Sequence, residues 1–189
     1  MSGSVLYYDS SLGVTATGVG SAGQVLTSNG GGAPTFQSVG GTPVGFISTL
    51  TTSATNATGD GTQYTLICDN VVVNAGSGYD NTTGIFTAPS NGSYAFNFNI
   101  FLSNLSSSHT DVVVYFQFSG GSSDRILSVN PYVVMSSTGL MGLSVATTKY
   151  ILAAQTVKVL IAVSGGTKTV TVEGGTPDAF STFNGFKIG

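Results

Sequence analysis

The stretch SYAFNFNI at residues 93–100 leaves few folds open to this chain. Tyr94, Phe96, Phe98 and Ile100 alternate with Ser93, Ala95, Asn97 and Asn99. Successive side chains of a strand point to opposite faces, so this spacing makes one aromatic face and one small polar face. A helix would scatter the same residues around its circumference. Full burial of each large side chain contributes about 2–3 kcal/mol, so the aromatic face has to be covered. Pro89 and Asn91-Gly92 supply the turn that feeds the strand. The stretch reads as a core strand, not a ligand site. Its polar face is flat and uncharged, and meets either solvent or another subunit.

Similar runs recur from Pro43 onward, between turn signals. They cover residues 43–50, 63–68, 70–74, 84–86, 93–102, 111–118, 125–135, 142–152, 155–163, 168–173 and 181–188. Connectors such as NATGDG and NAGSGYDN separate them. No window sustains an apolar repeat of 3.6 residues. The pattern predicts an all-β fold, a jelly-roll sandwich of two antiparallel sheets spanning residues 43–189. Residues 1–42 are different: dense in Gly, Ser and Thr, with short apolar pairs such as Val25-Leu26. Such a segment cannot bury a core alone. It reads as an extended arm or stalk ending in a linker near Gly40-Gly41.

Charge narrows the function classes. Only 7% of residues are charged, against about 25% in an ordinary globular chain. The net charge is −3, and five Lys and Arg cannot neutralise a run of phosphates, so nucleic acid is not an expected partner. The longest apolar runs, DVVVYFQF and VKVLIAV, are strand-sized and too short to span a bilayer. There is no basic amphipathic helix for a membrane surface, and no signal peptide is expected at the N-terminus. Cys68 is alone, so no intrachain disulfide can form. Stability must come from packing, from oligomerisation, or from both. A surface of Ser, Thr and Asn with little charge favours association, and identical partners are expected to cover much of it.

The residues that specify the strand also carry a family resemblance. Asn74, Tyr79, Phe86, Gly92, Tyr94, Phe96 and Phe98 stand at fixed intervals, with TAP at 87–89 after the phenylalanine. This resembles the signature of the globular head of complement one-q, a jelly roll shared with the tumour necrosis factor superfamily. The closing STFNGFKIG resembles that family's last strand, with Phe183, Gly185 and Phe186 at its marked positions. One departure is Cys68, where the signature usually has Phe. The resemblance implies a homotrimer of jelly rolls around a threefold axis, each burying an apolar face. A second resemblance lies in the arm: GSAGQVLTSNGGGAPTFQ, residues 20–37, is similar to segments of phage and large-virus fibre proteins. It implies a trimeric shaft, or an arm that joins a head to other virion proteins.

Other motifs have plainer readings. Residues 18–23 fit G-x-G-x-x-G, but no helix or βαβ unit follows, so a nucleotide site is not expected. His109, the single histidine, lies near Asp111 and several serines. No nucleophile turn accompanies it, and it reads as a solvated loop residue. Catalysis is not expected, since no acid–base pair, nucleophile or cofactor cradle is present. Some relatives of complement one-q bind calcium at one end of the jelly roll. Asp60, Asp69 and Asp80 are the candidate ligands on loops that could converge there; their other reading is turn formation. The sequons at Asn56, Asn81, Asn91 and Asn104 follow from composition. Tyr79, Tyr132 and Tyr150 would line a glycan-binding surface if exposed, although Tyr79 belongs to the structural signature.

The expected function is that of a structural and binding protein of a virion. It would be a trimeric fibre head or minor virion protein that attaches to a host surface, glycan or protein. The alternatives are a purely architectural virion component and a secreted complement-like recognition module.

Overall fold

The computed structural model describes residues 4–8, 13–38, 43–119, 123–176 and 180–188. The chain divides into two units, Met1–Thr42 and Pro43–Gly189. In the first, β1 (Leu6–Tyr8) pairs with β2 (Val14–Ala16), and β3 (Gln24–Asn29) pairs with β4 (Gly32–Ser38), both antiparallel. Within this segment the chain thus folds back twice. Gly30-Gly31 makes the second reversal between the paired Asn29 and Gly32, with Gly30 at φ +67° and the Asn29 amide donating to the Ala33 carbonyl at 2.7 Å. Gly40-Gly41, read as a linker, lies outside the described residues.

The second unit contains β5 (Gly45–Thr49), β6 (Ala54–Thr58), β7 (Gln63–Thr65), β8 (Asn70–Ala75), β9 (Tyr79–Asp80) and β10 (Ile85–Thr87). It continues with β11 (Gly92–Ser103), β12 (Asp111–Phe118), β13 (Ser123–Val129), α1 (Pro131–Val134), β14 (Met141–Ile151), β15 (Thr156–Ser164), β16 (Val170–Val172) and β17 (Thr182–Lys187). One sheet has the order β6-β16-β11-β17-β5-β8, with β14 along the other edge of β11. The other has the order β13-β12-β15-β10-β9, with β7 also on β15. Together they form the jelly-roll sandwich.

β11 is the spine of its sheet. β14 pairs with it from Gly92 to Leu102, while β17 and β16 share its opposite edge. Tyr94, Phe96, Phe98, Ile100 and Leu102 are all buried, as the alternation requires. They meet Val112, Val114, Phe116 and Phe118 of β12 and Val157, Val159, Ile161 and Val163 of β15 in one core.

Two runs differ from their sequence reading. Residues 125–135 are not one strand. Pro131 cannot donate to a ladder, so β13 ends at Val129 and one helical turn begins. Asn130 caps that turn by accepting the Tyr132 N–H at 3.0 Å. Conversely, Ala54–Thr58, read partly as a connector, is β6, held against β16 across a register shift.

Candidate interaction surfaces

The signature residues build the frame behind any surface. Asn74 closes the 75–78 turn: its amide donates to the Tyr79 carbonyl at 2.8 Å, and its carbonyl accepts the Tyr79 N–H at 3.1 Å. Tyr79 lies flat on Phe46, ring centroids 4.5 Å apart, and Phe46 in turn stacks on Phe86. Phe183 meets Phe46 edge-on at 4.8 Å. Gly185 has a steric reason to be glycine, because a Cβ there would lie 2.6 Å from both Phe46 and Phe96. Gly92 is buried where β11 begins, opposite Ile151. Phe186, by contrast, points outward and is 39% exposed.

Cys68 occupies its departure position by sharing polar work with Tyr79. The Cys68 N–H donates to the Tyr79 hydroxyl at 3.1 Å, and that hydroxyl donates to the Cys68 carbonyl at 3.2 Å. Burial pushes the Cys68 thiol up to about 12. Burial, with the nearby Cys68, also raises the Tyr79 phenol above its ordinary value. An acid whose folded pKa is raised stabilises the fold below its unfolded pKa, and that contribution disappears as pH rises toward the folded value. Stability in urea is therefore expected to fall above pH 9, toward 12. The slope should approach about 1.4 kcal/mol per pH unit for each group. Cys68→Val should flatten the onset of this loss; an unchanged slope would remove Cys68 as its source.

The candidate metal ligands do not come together. Among the described residues, no three His, Cys, Asp or Glu side chains gather closely enough to hold an ion. Asp60 and Asp80 are engaged in their own loops, and Asp69 binds across to Thr51 on another. Thr62 holds Asp60 below the usual carboxylate range through its hydroxyl and its N–H, the latter at 3.0 Å. Partial burial works against the Asp69 carboxylate, but the Thr51 hydroxyl and N–H outweigh it and lower its pKa. Asp80 accepts from the Thr82 N–H at 2.8 Å and from the Thr82 and Thr83 hydroxyls, which lower it too. Asp60 and Asp80 thus serve their own turns, and Asp69 ties its loop to Thr51.

His109 is also corrected. It is buried, 1% exposed, not solvated. Its Nδ1 accepts the Ser106 N–H at 3.0 Å, and its Nε2 lies 3.4 Å from the Thr167 carbonyl. Gly59 and Gly166 leave room for the ring, since a Cβ on Gly166 would sit 2.5 Å from Nε2. Both ring nitrogens are thus spent on backbone, and the residue pins three loops at one end of the sandwich. The sequence offered a hint in the glycines of those loops, but no local signal linked them to residue 109.

The outward face of the β11 sheet is organised in cross-strand rows. One row runs Ala146, Asn97, Asn184, Ile47, Val73, and the next runs Ser144, Asn99, Thr182, Thr49, Asn70. A third holds Thr148, Ala95, Phe186 and Gly45. None of these residues is charged. Their amides are laid along the sheet: Asn184 donates to Asn97 at 3.0 Å, Asn99 to Thr182 at 3.1 Å and Asn70 to Thr49 at 3.0 Å. Tyr150, Phe186 and Ile188 leave exposed apolar surface at one end of the rows.

A second surface lies where the two sheets part. Leu127 and Val129 of β13 face Met141 and Leu143 of β14 across an apolar groove of about 220 Å³, with Val134 of α1 at its rim. Tyr132, Val133 and Leu140 extend the exposed apolar surface beside it. Farther along, Lys149 donates to Asp124 at 2.6 Å and lies 4.1 Å over the Phe118 ring, tying the two sheet edges together. Of the three tyrosines considered for a ligand surface, Tyr132 and Tyr150 are exposed and Tyr79 is buried.

Comparison with known proteins places this geometry. Residues 46–186 match the family model of the C1q domain. The globular domain of zebrafish complement 1qA superimposes with a TM-score of 0.53 at 16% identity, over 79% of this chain and 98% of that one. The PRD1 vertex protein P5 gives 0.52 at 12% identity, over 79% and 100%. Eiger TNF from S. frugiperda gives 0.53 at 10% identity, over 78% and 94%.

Proposed function

The chain belongs to the C1q domain family through residues 46–186, and from that premise we propose that it is the trimeric head of a virion fibre, or a minor virion protein, that attaches to a host surface. Three copies pack the outward face of the β11 sheet around a threefold axis. The observation that carries this reading is the face itself. Its rows hold no charge, its amides are already paired along the sheet, and it ends in exposed Tyr150, Phe186 and Ile188. Such a surface can lose water at low cost, and large exposed apolar patches mark interaction sites. A closed threefold assembly covers it.

Placement on a virion is supported by the fibre-like sequence of residues 20–37, and the fold of the PRD1 vertex protein P5 is compatible with it. Residues 1–42 join the head to other virion proteins. Loops at the distal end, or the seams between subunits, meet a host glycan or protein, and three copies bind a repeating target with avidity. The role is recognition and architecture, not catalysis.

Light scattering of the full chain at micromolar concentration tests the assembly: a trimer is expected, and a monomer overturns the reading. Mass spectrometry of purified virions should find the chain at a copy number divisible by three. A blank glycan array together with absent host-cell binding would leave the purely architectural role.

A further inference from the structure

We infer that Asn29 is a site of spontaneous covalent modification: its side-chain amide converts to aspartate or isoaspartate ahead of the other Asn-Gly pairs, and the change loosens the β3–β4 hairpin. Asn-Gly occurs three times, at 29–30, 91–92 and 184–185. Asparagine is a thermolabile residue. In the reaction the backbone nitrogen of the following residue gives its proton to water and attacks the side-chain Cγ. A C–N bond forms, the side-chain nitrogen leaves as ammonia, and a five-membered succinimide results. Water then adds to one of its two carbonyls and opens the ring to aspartate or isoaspartate. A glycine in the second position puts no side chain in the path of attack and leaves the backbone free to turn.

The structure separates the three pairs by what holds the attacking nitrogen. Gly185 is buried within its sheet, paired with Phe96 on one side and Phe46 on the other. The Asn184 side chain is held at both ends: Nδ2 donates to Asn97 at 3.0 Å, and Oδ1 accepts the Ser48 N–H at 3.2 Å. Gly92 is buried opposite Ile151, and Asn91 Oδ1 accepts the Ala153 N–H at 2.7 Å. At 29–30 the ladder stops. Asn29 pairs with Gly32, so Gly30 and Gly31 form the turn outside it. Asn29 and Gly30 are both exposed, and among the described residues nothing accepts the Gly30 N–H. The attacking nitrogen is therefore free and wet at this pair alone of the three.

The bonds of the Asn29 side chain set the consequence. Its Nδ2 donates to the Ala33 carbonyl at 2.7 Å and to the Thr35 hydroxyl at 3.1 Å. A carboxylate donates nothing, so the first bond is lost outright and an oxygen is set against the Ala33 carbonyl. Isoaspartate also adds a methylene to the main chain where the turn begins. Each sheet of this unit has two strands, and a two-stranded hairpin is marginal in water, so little else resists the change. Residues 1–42 contain no Lys or Arg, and Asp9 is their single acidic residue, so the new charge finds no cation within the unit.

Peptide mapping by mass spectrometry reads the three sites together. The full chain is incubated at mildly alkaline pH in heavy-oxygen water, whose label enters only carboxyls made during the incubation. Conversion at Asn29 is expected to run at least about tenfold faster than at Asn91 and Asn184, where the reaction waits on local opening. In concentrated urea, which unfolds the chain, the three rates should converge. Equal rates in the folded chain overturn the inference. So does a ranking that survives in urea, which would assign it to sequence neighbours and not to the fold. Asn29→Asp tests the consequence: amide hydrogen exchange in β3 and β4 should speed by about tenfold or more, with β11 protection unchanged. Exchange equal to that of the parent chain would overturn the loosening of the hairpin.

Discussion

Phe96→Ala is expected to cost about 3–5 kcal/mol of folding stability, the largest loss from any single truncation in the β11 row. Phe96 is buried at the centre of the aromatic cluster. Its ring lies 5.6 Å from Phe86, 6.0 Å from Tyr94, 6.2 Å from Phe118 and 6.3 Å from Phe116 and Phe183. These contacts come from both sheets, so the cavity cannot close by moving one neighbour. Directly opposite, Gly185 brings the β17 backbone so near that a Cβ there would lie 2.6 Å from the Phe96 ring and from the Phe46 ring. Gly185→Val in the wild-type background is therefore also expected to destabilise, by about 1–3 kcal/mol or more through overpacking. Thr148→Ala, on the outward face of β14, should stay within about 0.5 kcal/mol if the head is monomeric in the assay. Urea unfolding at fixed protein concentration gives all three values. A loss below 1 kcal/mol for Phe96→Ala would mean that the rings are not packed as described.

The period of two in residues 93–100 was legible because each inward position carries an aromatic or Ile and each outward one a small or polar residue. That pattern locates the core strand without any partner. The complement one-q spacing was legible for the same reason: Asn74, Tyr79, Phe86 and Gly185 are fixed by the rings they bracket or admit. Features that depend on long-range pairing were harder to see. β6 carries no run of large apolar residues, and only β16 makes it a strand. His109 looked solvated because its neighbours are serines, while the glycines that bury it are 50 and 57 residues away in sequence (109 − 59 and 166 − 109). The split at 130–131 was in principle readable, since Asn-Pro is a turn and cap signal inside an otherwise apolar run. Two of the aspartates illustrate the opposite limit: Asp60 and Asp80 each have a Thr two residues on that makes the turn, whereas the Asp69 partner, Thr51, lies 18 residues away and had no local signal.

On the proposed trimeric reading, Ala146→Glu is expected to convert the head to monomers and to remove the avid part of the proposed host binding, about a 10²–10⁴-fold loss on a repeating target. Ala146 stands opposite Asn97 in a charge-free row, exposed and making no side-chain hydrogen bond of its own. In a single chain a glutamate there reaches water, and the sandwich keeps its core. Around a threefold axis the same substitution places like charges on every packed face, each losing hydration without a partner. The effect should therefore appear in mass by light scattering and not in the far-ultraviolet signature of the strands. Ala146→Ser adds a small neutral group and should leave the trimer intact. A glutamate variant that still assembles would exclude this face from the interface and leave the β13–β14 groove, with Tyr132, Val133 and Val134 beside it, as the surface that holds the copies together. Loss of assembly with full retention of host binding would instead assign recognition to a single subunit's loops. The two readouts thus separate what assembles the head from what the head recognises.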